Sequence, residues 1–374
     1  MIDGRGAPIL SRPPLLDVIA AYGSGRTDFP LASLPGACLS WALESGLGPL
    51  LARTCRDDPA TPGSPGWAEV RGSDLACRVL MGSQADATVE LIEACRPRVG
   101  PLTLLKGIWL SHALYPEPHL RPMRDVDVMV EPDAVEEVER VLVRLGYEPV
   151  EGRDPAAFRN HHHAVPHRHP ATGVYVEVHR GLVRPGGAYG ADRPFDRGHV
   201  RARLQDGLFR GCPVRHLADE LQVAYLAAHW AASGNGPRGP GGQLVLIDLM
   251  GLAATVDWQR VVGELPGTAA ASAVLLLLTY LETRGLLVLA PDVQRALWRS
   301  QRSFGAANLA FLHWLMDRRL GEGRPYGRWV NSRYNAEIVW TTLLRPRPAL
   351  VNLLALPSSL WMAHWGPRRM PDLD

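Results

Sequence analysis

The sequence predicts an α+β fold in which a small mixed-sheet core is flanked by N-terminal and C-terminal helical regions. At both ends of the chain, apolar residues recur at helical spacing. Between them the pattern changes to short strands with two-residue alternation, separated by further helical segments. We therefore expect an N-terminal helical region (residues 1–97), an α/β core (98–215) and a C-terminal helical region (216–374).

The N-terminal region contains three helical patterns. We expect helices over residues 14–22, 36–51 and 74–95. A segment rich in Pro, Gly and Asp, residues 56–72, predicts a loop before the third helix. The first residues contain no apolar run that could act as a signal peptide, which favours a cytoplasmic protein.

The core begins with a short buried strand over Leu102–Leu105. Gly107 allows a tight turn into a short helix around Ile108–His112. The alternation of residues 124–130 predicts a strand, and further strands are expected over 147–150 and in the segment 173–182.

A helix is expected between the second and third of these strands. Asp133 is the predicted N-cap, with Glu136 three residues later as its capping-box partner. Val135, Val138, Leu142 and Leu145 share one face. Gly146 follows the predicted end of the helix.

The C-terminal region is again helical. We expect helices over 217–230 and 243–254, joined by the Gly/Pro loop 233–242. The apolar segments 268–284 and 348–365 are too short or too interrupted to span a bilayer, so we expect core helices and no transmembrane segment. For the second, contact with a membrane surface or a partner is the alternative.

The composition excludes several functional classes. The 374 residues are 46% hydrophobic and 21% charged, which is typical of a globular chain. The net charge of +2, without a basic run, lacks the footprint of a general nucleic-acid binder, so we expect small or peptide-sized substrates. Five cysteines without CxxC spacing predict neither a zinc knuckle nor a disulfide framework, and they favour the cytoplasm. The oligomeric state is not predicted.

Three acidic residues form the candidate metal site. Asp125 and Asp127 alternate with valines and so project from one face of a strand. Glu177 alternates with valines in the same way, and it completes a carboxylate trio if the two strands are neighbours. Parallel carboxylates repel each other, and a divalent cation between them removes that repulsion. The pattern is typical of a Mg²⁺ site for phosphoryl chemistry.

A lysine and a glycine precede this strand. Lys106 is the single lysine among 40 basic residues, and Gly107 follows it at a helix start. A glycine turn at a helix N-terminus offers N–H groups and a favourable dipole to phosphate. We predict that Lys106 supplies a compact cation there, which the planar fork of an arginine cannot replace.

The segments 104–130 and 173–182 resemble the uncharacterised nucleotidyltransferase family of the DNA-polymerase-β-like superfamily. The likeness extends loosely over about residues 30–370. The pattern of the superfamily is a Gly-Gly or Gly-Ser turn at the start of a helix, an Asp-x-Asp strand and a third carboxylate on an adjacent strand. The resemblance implies a polymerase-β-like core, which here departs from the pattern by reading Lys-Gly at the turn.

The resemblance also implies roles. It makes Asp125, Asp127 and Glu177 the catalytic metal ligands for two Mg²⁺ ions, with Mn²⁺ as an alternative, and Glu177 the activator of the acceptor hydroxyl. It implies phosphate contact at Lys106 and Gly107 and an NTP donor. The expected activity is transfer of a nucleoside monophosphate to a hydroxyl or phosphate of a small molecule or modified peptide, in natural-product tailoring.

Three other functions remain open at this point. One is glycosyl transfer from a nucleotide sugar. Another is a toxin-like tRNA nucleotidyltransferase, which the near-neutral charge disfavours. The last is a non-catalytic nucleotide-binding protein.

Structural alternatives exist for each candidate residue. The aspartates could form a solvated strand face, Glu177 a cross-strand ion pair, and Lys106 a helix-start side chain that reaches solvent. For the remaining candidates, too, a structural role stands beside the functional one. Arg121 and Arg124 are placed as phosphate contacts or ion-pair partners, and Ser111, His229 and Asp248 as packing residues.

A histidine-rich segment raises a separate question. Residues 160–170 contain His161, His162, His163, His167 and His169, in a predicted loop without a partner cysteine. We therefore favour a solvated loop, or a loop lining the nucleotide or acceptor pocket, over a zinc site. His179, two residues after Glu177, is predicted to contact the metal ligands without binding the metal itself.

Overall fold

The computed structural model describes residues 12–232, 242–301, 305–321 and 349–365. It is α+β, 58% helical with one mixed seven-stranded sheet, as the sequence predicts. The chain divides into two compact units, one formed by residues 1–71 with 226–374 and the other by residues 72–225. The sheet and all the acidic candidates belong to the second unit.

The described helices and strands agree with the predicted pattern in most places. The helices are α1 (Pro14–Gly23), α2 (Gly36–Glu44), α3 (Gly48–Thr54), α4 (Trp67–Val99), α5 (Lys106–Ala113), α6 (Val135–Arg144), α7 (Arg197–Ala202), α8 (Asp219–Ala232), α9 (Gly242–Leu252), α10 (Trp258–Glu264), α11 (Ala270–Thr283), α12 (Pro291–Ser300), α13 (Ala306–Met316) and α14 (Ala349–Trp365). The strands are β1 (Thr103–Leu104), β2 (Asp125–Met129), β3 (Glu148–Pro149), β4 (His167–Arg168), β5 (Tyr175–His179), β6 (Leu204–Phe209) and β7 (Cys212–Leu217).

The sheet has the order β3-β4-β5-β2-β1-β7-β6. The pairs β2/β5 and β1/β7 are parallel, and the other neighbours are antiparallel. Neither β4 nor the β6/β7 hairpin, which extends the sheet beyond β1, was predicted from the sequence. In β6, Gln205, Asp206 and Leu208 are all exposed, which weakens the alternation that would have identified the strand.

The valines of β2 and β5 hold the sheet against its helical layer. Val126, Val128 and Val178 are fully buried, and Val176 is nearly so. They share one core cluster with apolar residues of α4 and α6. Burying a Val side chain contributes roughly 1.5 kcal/mol or more, and a one-residue slip would turn all of them to the other face. Burial of the valines therefore fixes the face on which the acidic residues lie.

Three local predictions were wrong. Asp133 is not the N-cap of α6, since a 3₁₀ turn (Pro132–Ala134) precedes the helix and Ala134 occupies the cap position without a side-chain hydrogen bond. The predicted loop 56–72 is shorter, because α4 begins at Trp67. The predicted helix over 36–51 is two helices, α2 and α3, with a turn at the positive-φ residue Gly46 between them. Gly146 follows the C-cap residue Leu145, as predicted, and it has φ +87°.

The last apolar segment also differs from its prediction. In α14, Leu350 and Leu354 are 67% and 71% exposed, whereas the polar Asn352 is buried. The described part of this helix therefore does not pack its apolar residues in a core. The other segment, α11, is buried along nearly its whole length. No described helix is long and apolar enough to cross a membrane. The predicted Gly/Pro loop lies outside the described residues apart from Gly242.

Candidate active site

Two neighbouring parallel strands bring the acidic residues together. In the register of β2 and β5, Asp127 lies directly beside Glu177, and Asp125 lies beside Tyr175. Partners in register point to the same face, as do residues two apart on one strand. All three carboxylates therefore project from the face opposite the buried valines.

Asp127 is at the centre of the polar contacts. Its Oδ1 atom lies 2.8 Å from Nε2 of His179 and 3.4 Å from Nζ of Lys106. The same His179 Nε2 lies 3.6 Å from Oε2 of Glu177. His179 is fully buried and Asp127 is 4% exposed. The imidazole and the ammonium thus neutralise part of the buried acidic charge.

The electrostatics of the cluster fit a cation. Burial raises the pKa of Asp125 to about 7, and repulsion from Asp127 and Glu177 adds to the shift. Burial also acts against charge on Glu177, but the contact with His179 holds the pKa of Glu177 below its usual range. The positive charges of Lys106 and His179 act against this rise in the pKa of Asp125 but do not cancel it. A bound divalent ion would remove the remaining repulsion at Asp125.

The donor chemistry points the same way. Carboxylate oxygens from Asp125, Asp127 and Glu177 are hard ligands, of the kind that Mg²⁺ prefers. Ligand atoms of Asp127, Glu177 and His179 lie within 4.8 Å of one another, close enough to surround one ion. The hydrogen bond from His179 would orient Asp127 as a ligand.

Lys106 is held in a restricted position at the start of α5. Its backbone has φ +39°, a left-handed conformation that favours glycine and costs a lysine about 1 kcal/mol or more. Its side chain is only 13% exposed, and Nζ lies 5.7 Å from the ring centroid of Tyr225. Burial disfavours the charge, yet the pKa of Lys106 is raised, because Asp127 and its acidic neighbours stabilise the ammonium.

Gly107 is required for close packing at the same turn. A Cβ atom there would lie 2.7 Å from Nη1 of Arg121 and 2.9 Å from Cβ of Met123. Arg121 is 7% exposed. Its short distance from Gly107 places it against the beginning of α5, beside the predicted phosphate turn. Arg124 precedes β2 and is exposed. The structure thus brings Arg121 to the turn and places Arg124 on the surface.

The other candidates lie where packing residues are expected. The Ser111 hydroxyl is buried and donates to the carbonyl of Ile108 in its own helix at 3.1 Å. Asp248 is fully buried on α9, and His229 is half-buried on α8.

The histidine triplet closes one side of the acidic cluster. His163 forms an isolated β-bridge with His179, and its Nε2 lies 3.8 Å from Oε2 of Glu177. The ring centroids of His162 and His163 each lie 5.3 Å from that of His179. Burial lowers the pKa of His161 to about 4 and also lowers the pKa of His162 and His163. The segment is therefore packed beside the site instead of forming a solvated loop.

Sequence reasoning missed one residue of the site. Tyr225 on α8 is fully buried and contacts Lys106. Its neighbours in sequence are apolar and give no local signal of a role. The histidine triplet, by contrast, was visible as three consecutive identical residues, but its position beside Glu177 was not.

One comparison with known proteins identifies a family. The model of the family described as uncharacterised nucleotidyltransferase matches residues 34–285, about two thirds of the chain. The match includes β2, β5 and the turn at Lys106. No curated protein matches the chain.

Proposed function

Since the chain belongs to the uncharacterised nucleotidyltransferase family, we propose that it is a metal-dependent enzyme that moves a nucleoside monophosphate from an NTP to an acceptor. The acceptor would be a hydroxyl or phosphate of a small molecule or modified peptide. The family supports nucleotidyl transfer and a nucleotide substrate. The metal, the donor and the acceptor class are our proposal.

The observation that carries the proposal is the in-register pairing of Asp127 with Glu177. It sets the third carboxylate beside the Asp-x-Asp strand and on its face, with Lys106 3.4 Å from Asp127. A solvated strand face would not bury Asp127 to 4% exposure. The alternative of a simple cross-strand ion pair does not account for Glu177 either, because its strand partner is another carboxylate.

We assign Asp125, Asp127 and Glu177 as ligands of two Mg²⁺ ions, with Mn²⁺ as a substitute. When bound, the ions would neutralise the triphosphate and stabilise the charge that develops on the leaving pyrophosphate. His179 holds Asp127 in place through its hydrogen bond. Glu177 would accept the proton of the attacking acceptor hydroxyl, because it places a carboxylate on the same face as the aspartate pair.

Lys106 and the first turn of α5 would bind the donor phosphates. The unpaired N–H groups at a helix start and the helix dipole favour an anion. The ammonium adds a compact charge, and Arg121 lies against the same turn. The acceptor oxygen forms a bond to the α-phosphorus as the bond to the pyrophosphate oxygen breaks.

The experiment is a pyrophosphate-release assay with each NTP, Mg²⁺ and a panel of hydroxylated small molecules and peptides, with products identified by mass spectrometry. We expect Asp125→Asn and Asp127→Asn each to lower turnover by at least about 10³-fold, as for loss of a group that acts only in the transition state. Glu131→Gln is the matched control, because this exposed carboxylate follows β2 and pairs with Arg201. It should leave turnover unchanged.

The outcomes distinguish the alternatives. Release of nucleoside diphosphate from a nucleotide sugar, with transfer of the sugar, would indicate glycosyl transfer instead. Modification of tRNA ends would indicate the toxin-like function. Nucleotide binding without turnover on any acceptor, unaffected by Asp127→Asn, would refute the enzyme proposal.

A second experiment uses the single lysine. An acyl-phosphate derivative of ATP transfers its acyl group to a lysine beside the bound phosphates. Because Lys106 is the only lysine in the chain, the modified site is unambiguous. We expect labelling of Lys106 that excess NTP with Mg²⁺ prevents. Labelling that NTP does not reduce would count against Lys106 as a phosphate contact.

A further inference from the structure

We propose that His161, His162 and His163 form a second metal site, specific for a divalent transition metal of the Zn²⁺ class and separate from the carboxylate site. Ligand atoms from the three imidazoles lie within 4.8 Å of one another, so that one ion can contact all three. The proposal does not depend on nucleotidyl transfer.

The backbone explains how three consecutive residues converge. In a regular strand, neighbouring side chains point to opposite faces, so three in a row cannot share one ion. Here residues 161 and 162 form a bend and only His163 makes a β-bridge. The ring centroid of His161 lies 4.2 Å from that of His162 and 4.2 Å from that of His163.

The segment is fixed to the sheet before any ion binds. The N–H group of Ala164 donates to the carbonyl of Val178 at 2.9 Å, and the N–H group of Arg180 donates to the carbonyl of His162 at 2.8 Å. Both bonds join the triplet to the end of β5. The three ligands therefore need little ordering to bind an ion.

The hydrogen bonding of the three rings leaves a nitrogen of each available to a metal. The Nδ1 atoms of His161 and His162 are buried without a hydrogen-bond partner among the described residues. The Nδ1–H group of His163 donates to the carbonyl of Ala164 at 2.7 Å, which leaves Nε2 as the atom with a lone pair. A backbone carbonyl behind a ligating imidazole is the usual support for a metal-bound histidine.

The ligand set determines the class of metal. Imidazole nitrogens suit Zn²⁺, Cu²⁺ and Ni²⁺, whereas Mg²⁺ requires oxygen ligands. Three protein ligands leave one position of a tetrahedral ion open to water or to a substrate atom. The missing cysteine and the predicted loop disfavoured zinc in the sequence, but a site of three histidines needs no cysteine, and His163 pairs with the sheet. The ion would lie beside Glu177, whose Oε2 is 3.8 Å from Nε2 of His163.

The test measures metal binding by the full chain after removal of metals with a chelator. In millimolar Mg²⁺, which occupies oxygen-ligand sites, we titrate Zn²⁺ against a chromophoric competitor and record the visible bands of bound Co²⁺. We expect one tightly bound equivalent in the wild-type protein. His161→Gln and His162→Gln should each weaken binding at least about 100-fold, because each removes one of three ligands.

Two further variants separate the sites. Asp127→Asn should keep the bound Zn²⁺, since its carboxylate belongs to the other cluster. His169→Asn is the matched control from the same segment, because the asparagine oxygen can replace Nδ1 as acceptor for the N–H groups of Ala171 and Thr172. It should also keep the ion.

X-ray absorption of the Zn²⁺-loaded wild-type protein tests the assignment without any variant. We expect scattering from three imidazoles. Scattering from fewer than three, the absence of Zn²⁺ uptake, or Zn²⁺ binding that is lost in Asp127→Asn but retained in His162→Gln would overturn the proposal.

Discussion

Replacing Lys106 by methionine tests whether the buried ammonium stabilises the acidic cluster. Methionine has a side chain of similar length, and it is strained at φ +39° to the same extent as lysine. The change therefore removes the charge and leaves the strain energy of the backbone unchanged. At 3.4 Å from Asp127 and an effective dielectric constant near 20, the gross attraction is about 5 kcal/mol. Desolvation of the ammonium offsets part of it, and we expect the unfolding free energy to fall by about 3 kcal/mol.

The assay is a double-mutant cycle with Lys106→Met, Asp127→Asn and the combined variant. Urea unfolding is followed by circular dichroism in a chelator, so that no divalent ion replaces the ammonium. We expect a coupling energy of about 2 kcal/mol between the two positions, because each charge compensates the other. A coupling below about 0.5 kcal/mol would refute the reasoning, since non-interacting sites are additive within that range.

Two other perturbations test packing, one beside the site and one in the unit formed by residues 1–71 with 226–374. Gly107→Ala should lower stability by about 1 to 3 kcal/mol, because its Cβ would lie 2.9 Å from Cβ of Met123. Gly82→Ala, a mid-helix control with open space around the added Cβ, should be neutral or stabilising; thermal melts of both variants measure the difference. A second prediction concerns the pH dependence of stability that arises from His313. Burial lowers the pKa of His313 to about 4, whereas the unfolded value is about 6.5. The unfolded state therefore binds more protons between these values, and stability should be lost as pH falls from 6.5 to 4, by about 3 kcal/mol. His313→Gln should remove that part of the dependence in unfolding titrations. An unchanged pH profile would show that His313 is not buried in its neutral form.

Much of the local structure was predictable because it depends on short-range patterns. Alternation with valines was sufficient to put Asp125 and Asp127 on one face of a strand, since side chains of a strand alternate whatever it pairs with. The periodicity of α6 and the glycine after its end were equally visible. The wrong cap at Asp133 arose because a 3₁₀ turn competes with the capping conformation there.

The interior of α14 shows where local pattern fails. Its residues are apolar enough to predict a core helix, yet Leu350 and Leu354 are exposed and Asn352 is buried. Apolar composition indicates that a segment can be buried, but which face packs depends on neighbours that lie far away in the sequence.

The residue types of the candidate site and the strand faces on which they lie follow from the sequence alone, because strand alternation and the Lys-Gly turn are local properties. The pairing of β2 with β5, which brings Asp127 beside Glu177 from 50 positions away, depends on the tertiary fold. The same is true of the contact between Tyr225 and Lys106 and of the convergence of three histidines beside the carboxylates. These contacts require closure of long loops, and the free energy for closure comes from burial of the whole core, which no short stretch of sequence specifies.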